Sequence, residues 1–144
     1  MTPLAEGSLH FIGVCGSGMS ALAQFHAMGG GKATGSDRYL DRGESAQARA
    51  ALAALGVRLH PQDGTGISPA TSEVAVSSAI EDSNPDLAKA KSLGLPILHR
   101  SDLLARHVHA MRTTAVSGTS GKSTVTAMAF EILEHSGRSP SVIT

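Results

Sequence analysis

Two glycine-rich segments of this chain carry the residues best suited to chemistry. The first is Gly13-Val14-Cys15-Gly16-Ser17-Gly18, which continues the apolar run Leu9 to Val14 and precedes an apolar-periodic stretch from Ser20 to Met28. A glycine loop between a strand and a helix turns tightly and aims backbone N–H groups from the helix N-terminus, a ready site for a diphosphate. Against the dinucleotide-binding pattern G-x-G-x-x-G, Gly13 and Gly18 fit, Cys15 replaces the middle glycine and Gly16 comes one place late. Asp37 lies 19 residues after Gly18, at the end of the next predicted strand, where a carboxylate accepts from ribose hydroxyls. The second segment is Gly118-Thr119-Ser120-Gly121-Lys122-Ser123-Thr124, with the G-K-[ST] core of a P-loop but Val116 in place of its first glycine. Backbone amides in such a loop cradle phosphates, Lys122 offers a charge to the β- and γ-phosphates of ATP, and the Ser123 hydroxyl suits Mg²⁺.

Other reactive side chains carry weaker patterns. Cys15 has no basic neighbour in sequence to lower its pKa, so it reads as a small packed residue and not a nucleophile. His60, His99 and the pair Ser77-Ser78 fall at predicted strand ends, within reach of a bound sugar or phosphate. Arg100 pairs either with a phosphate or with Asp102. Glu81 and Asp82 are adjacent in an extended segment, so they point apart and are solvated. His107 and His109 are two apart on a helix, and their divergent directions argue against a metal site.

The elements that position these residues alternate regularly. Strands are predicted at Leu9 to Val14, Lys32 to Gly35, Val57 to Leu59, Val74 to Val76, Pro96 to Leu98 and Arg112 to Ser117. Between them run helices at Ser20 to Met28, at Glu44 to Leu55 with Ala48, Ala51, Leu52 and Leu55 on one face, and from Asn84-Pro85 to Gly94. A short helix capped by Ser101 reaches about His107, and a last one covers Ser123 to Glu134. Such alternation predicts an α/β fold, a Rossmann-like doubly wound parallel sheet, whose ligands bind beyond the carboxyl ends of the strands. Residues 1–110 form one domain on this reading, and 111–144 the first strand, P-loop and helix of a second.

The 144 residues include 12 basic and 12 acidic ones without a basic run, which argues against a dedicated nucleic-acid binder. One cysteine excludes an internal disulfide. No apolar stretch approaches the roughly 18 residues of a membrane span, and the start MTPLAEGSLH lacks the order of a signal peptide. A cytoplasmic protein is expected. Only 20 residues follow Thr124, too few for the sheet and second carboxylate of a P-loop domain. The segment from Met111 is therefore expected to expose apolar surface at Val125, Ile132 and Leu133 and to self-associate through it.

The two loops together, about 100 residues apart, resemble the Mur ligase family, ATP-dependent enzymes that add amino acids to UDP-N-acetylmuramate during peptidoglycan synthesis. The matching residues are His10-Phe11-Ile12-Gly13, Gly16-Ser17-Gly18-Met19-Ser20, Gly35-Ser36-Asp37 and Val76-Ser77-Ser78-Ala79-Ile80. They continue through Asn84-Pro85, His99-Arg100 and the loop from Gly118 to Thr124, along the whole chain. Their order is most similar to the L-alanine-adding branch, with the murein-tripeptide recycling branch beside it. Cys15 for glycine, Ser120 for His or Asn, and Ser123 for Thr are the departures from the alanine-adding pattern.

The resemblance implies that Gly16, Ser17, Gly18, Met19 and Ser20 hold the diphosphate of a UDP-sugar, with Asp37, Ser77, Ser78 and Ala79 around the uridine. It implies that Gly118, Thr119, Ser120, Gly121, Lys122, Ser123 and Thr124 bind ATP, with Lys122 catalytic and Ser123 on Mg²⁺. The amine acceptor would belong to a domain beyond this chain, and a complete ligase would need roughly 300 further residues at ordinary domain sizes. A module that binds NAD(H) without catalysis is the competing reading of the first loop.

Overall fold

The structure, a computed structural model, describes residues 7–143. The first six residues of the predicted N-terminal domain, most of the segment read for a signal peptide, and Thr144 lie outside the described residues. The central strand β1 (Ser8–Ile12) is almost wholly buried, with Leu9 and Phe11 on one face and His10 and Ile12 on the other. It pairs in parallel with β2 (Lys32–Ser36) on one side and β4 (Thr71–Val76) on the other. The short strands β3 (Arg58–His60) and β5 (Ile97–His99) close the edges, giving the order β3-β2-β1-β4-β5 with every pair parallel.

Parallel neighbours require crossovers, and helices supply them. Helix α1 (Ser17–Met28) links β1 to β2, α2 (Arg38–Asp41) and α3 (Ala46–Ala54) link β2 to β3, and α4 (Pro85–Ser92) links β4 to β5. Helix α5 (Arg100–His109) follows β5. Helix α1 packs on both α3 and α5, and its His26 ring meets Phe11, so these three helices cover one face of the sheet. Leu87 and Ala90 of α4 pack with Ile12, Ile67 and Val74 on the opposite face. The sheet is thus the expected doubly wound α/β arrangement. Its register ends β1, β2 and β3 together, since Ile12 lies beside Ser36 and Ser36 beside His60.

Local chemistry explains where boundaries differ from the sequence reading. Helix α1 starts at Ser17, so Gly18 lies inside its first turn and not in a preceding loop. The short α2, absent from the sequence reading, exists because the Asp37 carboxylate accepts from Tyr39 N and caps it. On α3 only Leu52 is buried; Ala48 is half-buried, while Ala51 and Leu55 face solvent. Asn84 caps α4 as expected, its side chain accepting from the backbone N–H groups of Asp86 and Leu87, with Pro85 in the first turn. The cap of α5 is His99 and not Ser101, the imidazole Nδ1 accepting from Ser101 N.

Contacts divide the chain into two compact units after Ala110. In the second, residues 112–117 form no strand, because a strand exists only where a neighbour takes its backbone hydrogen bonds. Among the described residues of this unit the one regular element is α6 (Lys122–His135), none of whose residues is buried. Val125 and Ile132 are exposed and Leu133 is half-buried.

Two histidines sit where α1 and α5 meet. The rings of His26 and His107 lie 6.0 Å apart, and His107 stands edge-on to Phe25 at 5.1 Å. Both are at least nine-tenths buried, and neither His26 Nδ1 nor His107 Nε2 has a hydrogen-bond partner. Burial pushes both pKa values below the ordinary imidazole range. Arg106 opposes protonation of each, His26 further opposes that of His107, and Glu73 and the Lys32 backbone partly offset the effect at His26. The folded state therefore binds fewer protons than the unfolded one below about pH 6.5, and stability falls as pH drops through that window. Thermal midpoints are expected to decrease between about pH 6.5 and 5, and His107→Phe should flatten that slope. An unchanged slope in the variant would exclude the His107 ring as its source.

Candidate functional site

At the carboxyl ends of the strands the first glycine loop is tied down by the end of β2. Gly13 adopts φ +75°, a conformation that side chains disfavour, and this turns the chain out of β1. The N–H groups of Gly13 and Val14 both donate to Ser36 O, at 2.9 and 3.1 Å, and Gly16 N donates to Gly13 O at 3.1 Å. The Asp37 carboxylate completes the arrangement: Oδ2 accepts from Cys15 N at 2.8 Å and Oδ1 from Tyr39 N at 2.9 Å. Asp37 is only 4% exposed, so a carboxylate expected to face a ribose also fixes the loop it stands beside.

Beside this loop lies an open cavity of about 310 Å³. Of the residues assigned to the substrate from sequence, Gly16, Asp37, Ser77 and Ala79 line it. Tyr39, Gln62, Ile80 and Asn84 also line it, and sequence reasoning gave none of these four a ligand role. Ser17, Gly18, Met19 and Ser20 form the first turn of α1 and are not part of the cavity wall, and neither is Ser78. The Met19 side chain is turned into the core, 2% exposed, so only its backbone can serve a ligand. Ser20 Oγ accepts from Gln24 Nε2 at 3.0 Å.

Helix α1 has Gly16 at its N-cap and no side-chain cap, which leaves the first-turn N–H groups to an external acceptor. An arginine stands over the same turn. A Cβ built on Gly18 would lie 1.9 Å from Arg100 Nη1, so the guanidinium rests directly on this glycine. Among the described residues no Arg100–Asp102 ion pair forms, and the guanidinium lies instead over the first turn of α1. Helix dipole and guanidinium both place positive charge at this turn, which would suit an anion.

The remaining candidates fall into place around it. Burial and the neighbouring Asp37 charge push the Cys15 thiol up to about 11, so it stays protonated and is no nucleophile. His60 is half-buried, its ring 6.5 Å from that of His10. His99 serves α5 as its cap. Glu81 and Asp82 are exposed as expected; Glu81 lies on the cavity rim and Asp82 pairs with Lys91 at 2.9 Å.

The second glycine loop belongs to the other unit and is described by itself. Gly121, at φ 74°, precedes α6 without a side-chain cap, so the N–H groups of Lys122, Ser123 and Thr124 have no helical acceptor, and Val125 N is the first to find one, at Gly121 O. Lys122 Nζ donates to Gly118 O at 2.8 Å, folding the side chain over the loop. The donors expected of a phosphate cradle are therefore gathered in one turn, with Ser123 in its first residues.

Residues 8–112 match the model of the Mur ligase family, catalytic domain. The chain is similar to the UDP-N-acetylmuramate–L-alanine ligase of Streptomyces avermitilis, 41% identical over 140 residues that cover 96% of this chain and 29% of the relative. It is also 40% identical over 135 residues to the enzyme of that name from an Arthrobacter strain, across 94% of this chain and 28% of the relative. The crystal structure of UDP-N-acetylmuramate-alanine ligase from Thermotoga maritima superposes with a TM-score of 0.81 at 30% identity, over 94% of this chain and 31% of that one. A murein peptide ligase from Psychrobacter arcticus gives 0.80 at 28% identity, over 91% and 27%. The chain thus spans under a third of the length of the curated relatives it matches.

Proposed function

This chain belongs to the Mur ligase family, and on that premise we propose that it is the nucleotide-sugar-binding part of an ATP-dependent ligase that joins L-alanine to UDP-N-acetylmuramate. The observation that carries the reading is the pairing of an uncapped α1 N-terminus under Arg100 with a cavity walled by Asp37, Ser77 and Ala79. The diphosphate sits on the backbone of residues 16–20 and against Arg100, and the uridine enters the cavity. Residues 1–110 form this domain, and 111–144 begin the ATP-binding one.

In the whole enzyme a carboxylate oxygen of the muramate attacks the γ-phosphorus of ATP, the bond to ADP breaks, and an acyl phosphate forms. The amine of the acceptor then attacks the acyl carbon, inorganic phosphate leaves, the nitrogen loses a proton and the amide remains. Residues 118–124 hold the ATP phosphates, and Lys122 neutralises charge on the transferring group once it leaves Gly118 O. Mg²⁺, when bound, screens the phosphates. Ser123 would hold it through its hydroxyl, a hard oxygen donor of the kind Mg²⁺ takes. The reaction draws on ATP and carries a cytoplasmic location with it. The apolar face of α6 at Val125, Met128 and Ile132 is the surface for the rest of the ATP-binding sheet, with self-association as its other use.

Relatives at about 40% identity along nearly the whole chain are named for L-alanine transfer, which supports alanine over a tripeptide as acceptor and a ligase over an NAD(H)-binding module. Phosphate release by the full-length protein with UDP-N-acetylmuramate and ATP should require L-alanine. Release that requires the L-alanyl-γ-D-glutamyl-meso-diaminopimelate tripeptide in place of L-alanine, still with UDP-N-acetylmuramate, would move the protein to the recycling branch.

A further inference from the structure

The cavity wall is assembled from separate stretches of chain, and the structure ties these stretches together at one buried carboxylate. Asp86, in the first turn of α4, has no exposed surface. Its Oδ1 accepts from Gly64 N at 2.6 Å, and its Oδ2 accepts a short hydrogen bond from Ser36 Oγ. His10 Nε2 lies 3.6 Å from the same oxygen and 3.3 Å from Ser36 Oγ, while His10 Nδ1 meets Thr34 Oγ1 at 2.8 Å. Each partner stands next to a wall segment. Ser36 immediately precedes residues 37–39, Gly64 follows Gln62 by two, Asp86 follows residues 83–85, and His10 belongs to the strand that ends just before Gly13.

We propose that Asp86 is a positioning residue for the bound nucleotide, a fully buried acceptor that fixes three wall segments of the cavity against β1. The inference rests on the nucleotide reading of that cavity. Asp86 is buried in α4 along with Leu87 and Ala90, and burying a carboxylate there is costly unless several donors meet it. Here a backbone N–H, a hydroxyl and an imidazole from three different elements do so. Burial alone would raise the Asp86 pKa, yet the hydrogen bonds from His10, Ser36 and Gly64 N hold it below the ordinary carboxylate value. Replacing one carboxylate oxygen by an amide NH₂ leaves either Gly64 N or Ser36 Oγ facing another donor, breaks the tie between the segments there, and lets residues 37–39, 62–64 and 83–85 shift independently.

The test measures UDP affinity and amide hydrogen exchange for the full chain and for Asp86→Asn, with Leu103→Ala in α5 as a core variant away from the wall. All are compared at a temperature where each is folded, so that loss of global stability does not enter. Asp86→Asn should weaken UDP binding on the order of tenfold and speed exchange together at 37–39, 62–64 and 83–84, whereas Leu103→Ala should do neither. Wild-type affinity in the variant, with faster exchange at Gly64 alone, would overturn the inference. If the wild type itself fails to bind UDP, the nucleotide reading fails, and the exchange pattern by itself decides whether Asp86 couples the segments. Should Asp86→Asn not fold, Ser36→Ala removes one tie only and is expected to loosen residues 37–39 selectively; no change there would also count against the proposal.

Discussion

Replacing Asp37 by alanine is expected to weaken binding of UDP-N-acetylmuramate at least about a hundredfold and to lower stability by about 2–3 kcal/mol. The stability loss follows from two backbone donors, Cys15 N and Tyr39 N, which lose their acceptor at once. One of them is the cap of α2, itself worth about 1 kcal/mol. The larger effect on binding arises because this carboxylate stands between the cavity and the glycine loop, so its loss removes a ligand contact and unfastens the loop together. Asp37→Asn keeps one acceptor oxygen and should fall between wild type and alanine in both measurements. Calorimetric titration and urea unfolding of the three proteins check this; an alanine variant that binds normally would remove Asp37 from the site.

Gly18→Val separates binding from stability in the opposite way. The backbone at Gly18 is helical, and the atoms nearest a new Cβ all belong to the exposed side chain of Arg100, led by its guanidinium, which can swing away. Valine therefore costs the fold little, since glycine is the poorer helix former of the two. It nevertheless pushes the guanidinium off the α1 N-terminus and places two methyl groups where a diphosphate would approach the first-turn amides. Affinity for UDP-N-acetylmuramate is expected to drop about a hundredfold or more, with a thermal midpoint close to wild type. A variant that binds normally would show that the diphosphate does not use this turn. Arg100→Ala gives the complementary case, in which the amides remain open and only the cation is lost; its defect should be smaller and should shrink at high salt.

Patterns that act over a few residues were legible before the structure was known. The glycine loop after an apolar run, the Asn84-Pro85 start of α4 and the strand–helix alternation are each enforced locally, by turn geometry, capping and periodicity. Residues 112–117 mark the limit of that logic. Their composition suits a strand, but a strand depends on a partner, and the described part of the second unit offers none. His99 as a cap was missed because imidazole rarely plays a part that Ser or Asp usually takes. The contacts that shape the site were the least legible. Nothing near Arg100 in sequence indicates Gly18, and nothing near His10 indicates Asp86, because these pairs meet only when separate strands and helices align. A histidine inside the otherwise apolar run that begins β1 was the one available signal, since a buried imidazole needs partners from elsewhere.

The central claim is that the cavity beside the first glycine loop takes a UDP-sugar. Isothermal titration of the full chain with UDP-N-acetylmuramate, with NADH run in parallel, tests it most directly. The account predicts one binding site for the UDP-sugar, no heat from NADH, and loss of the signal in Gly18→Val. Saturable binding of NADH with no response to the UDP-sugar would contradict it and make the loop a dinucleotide site.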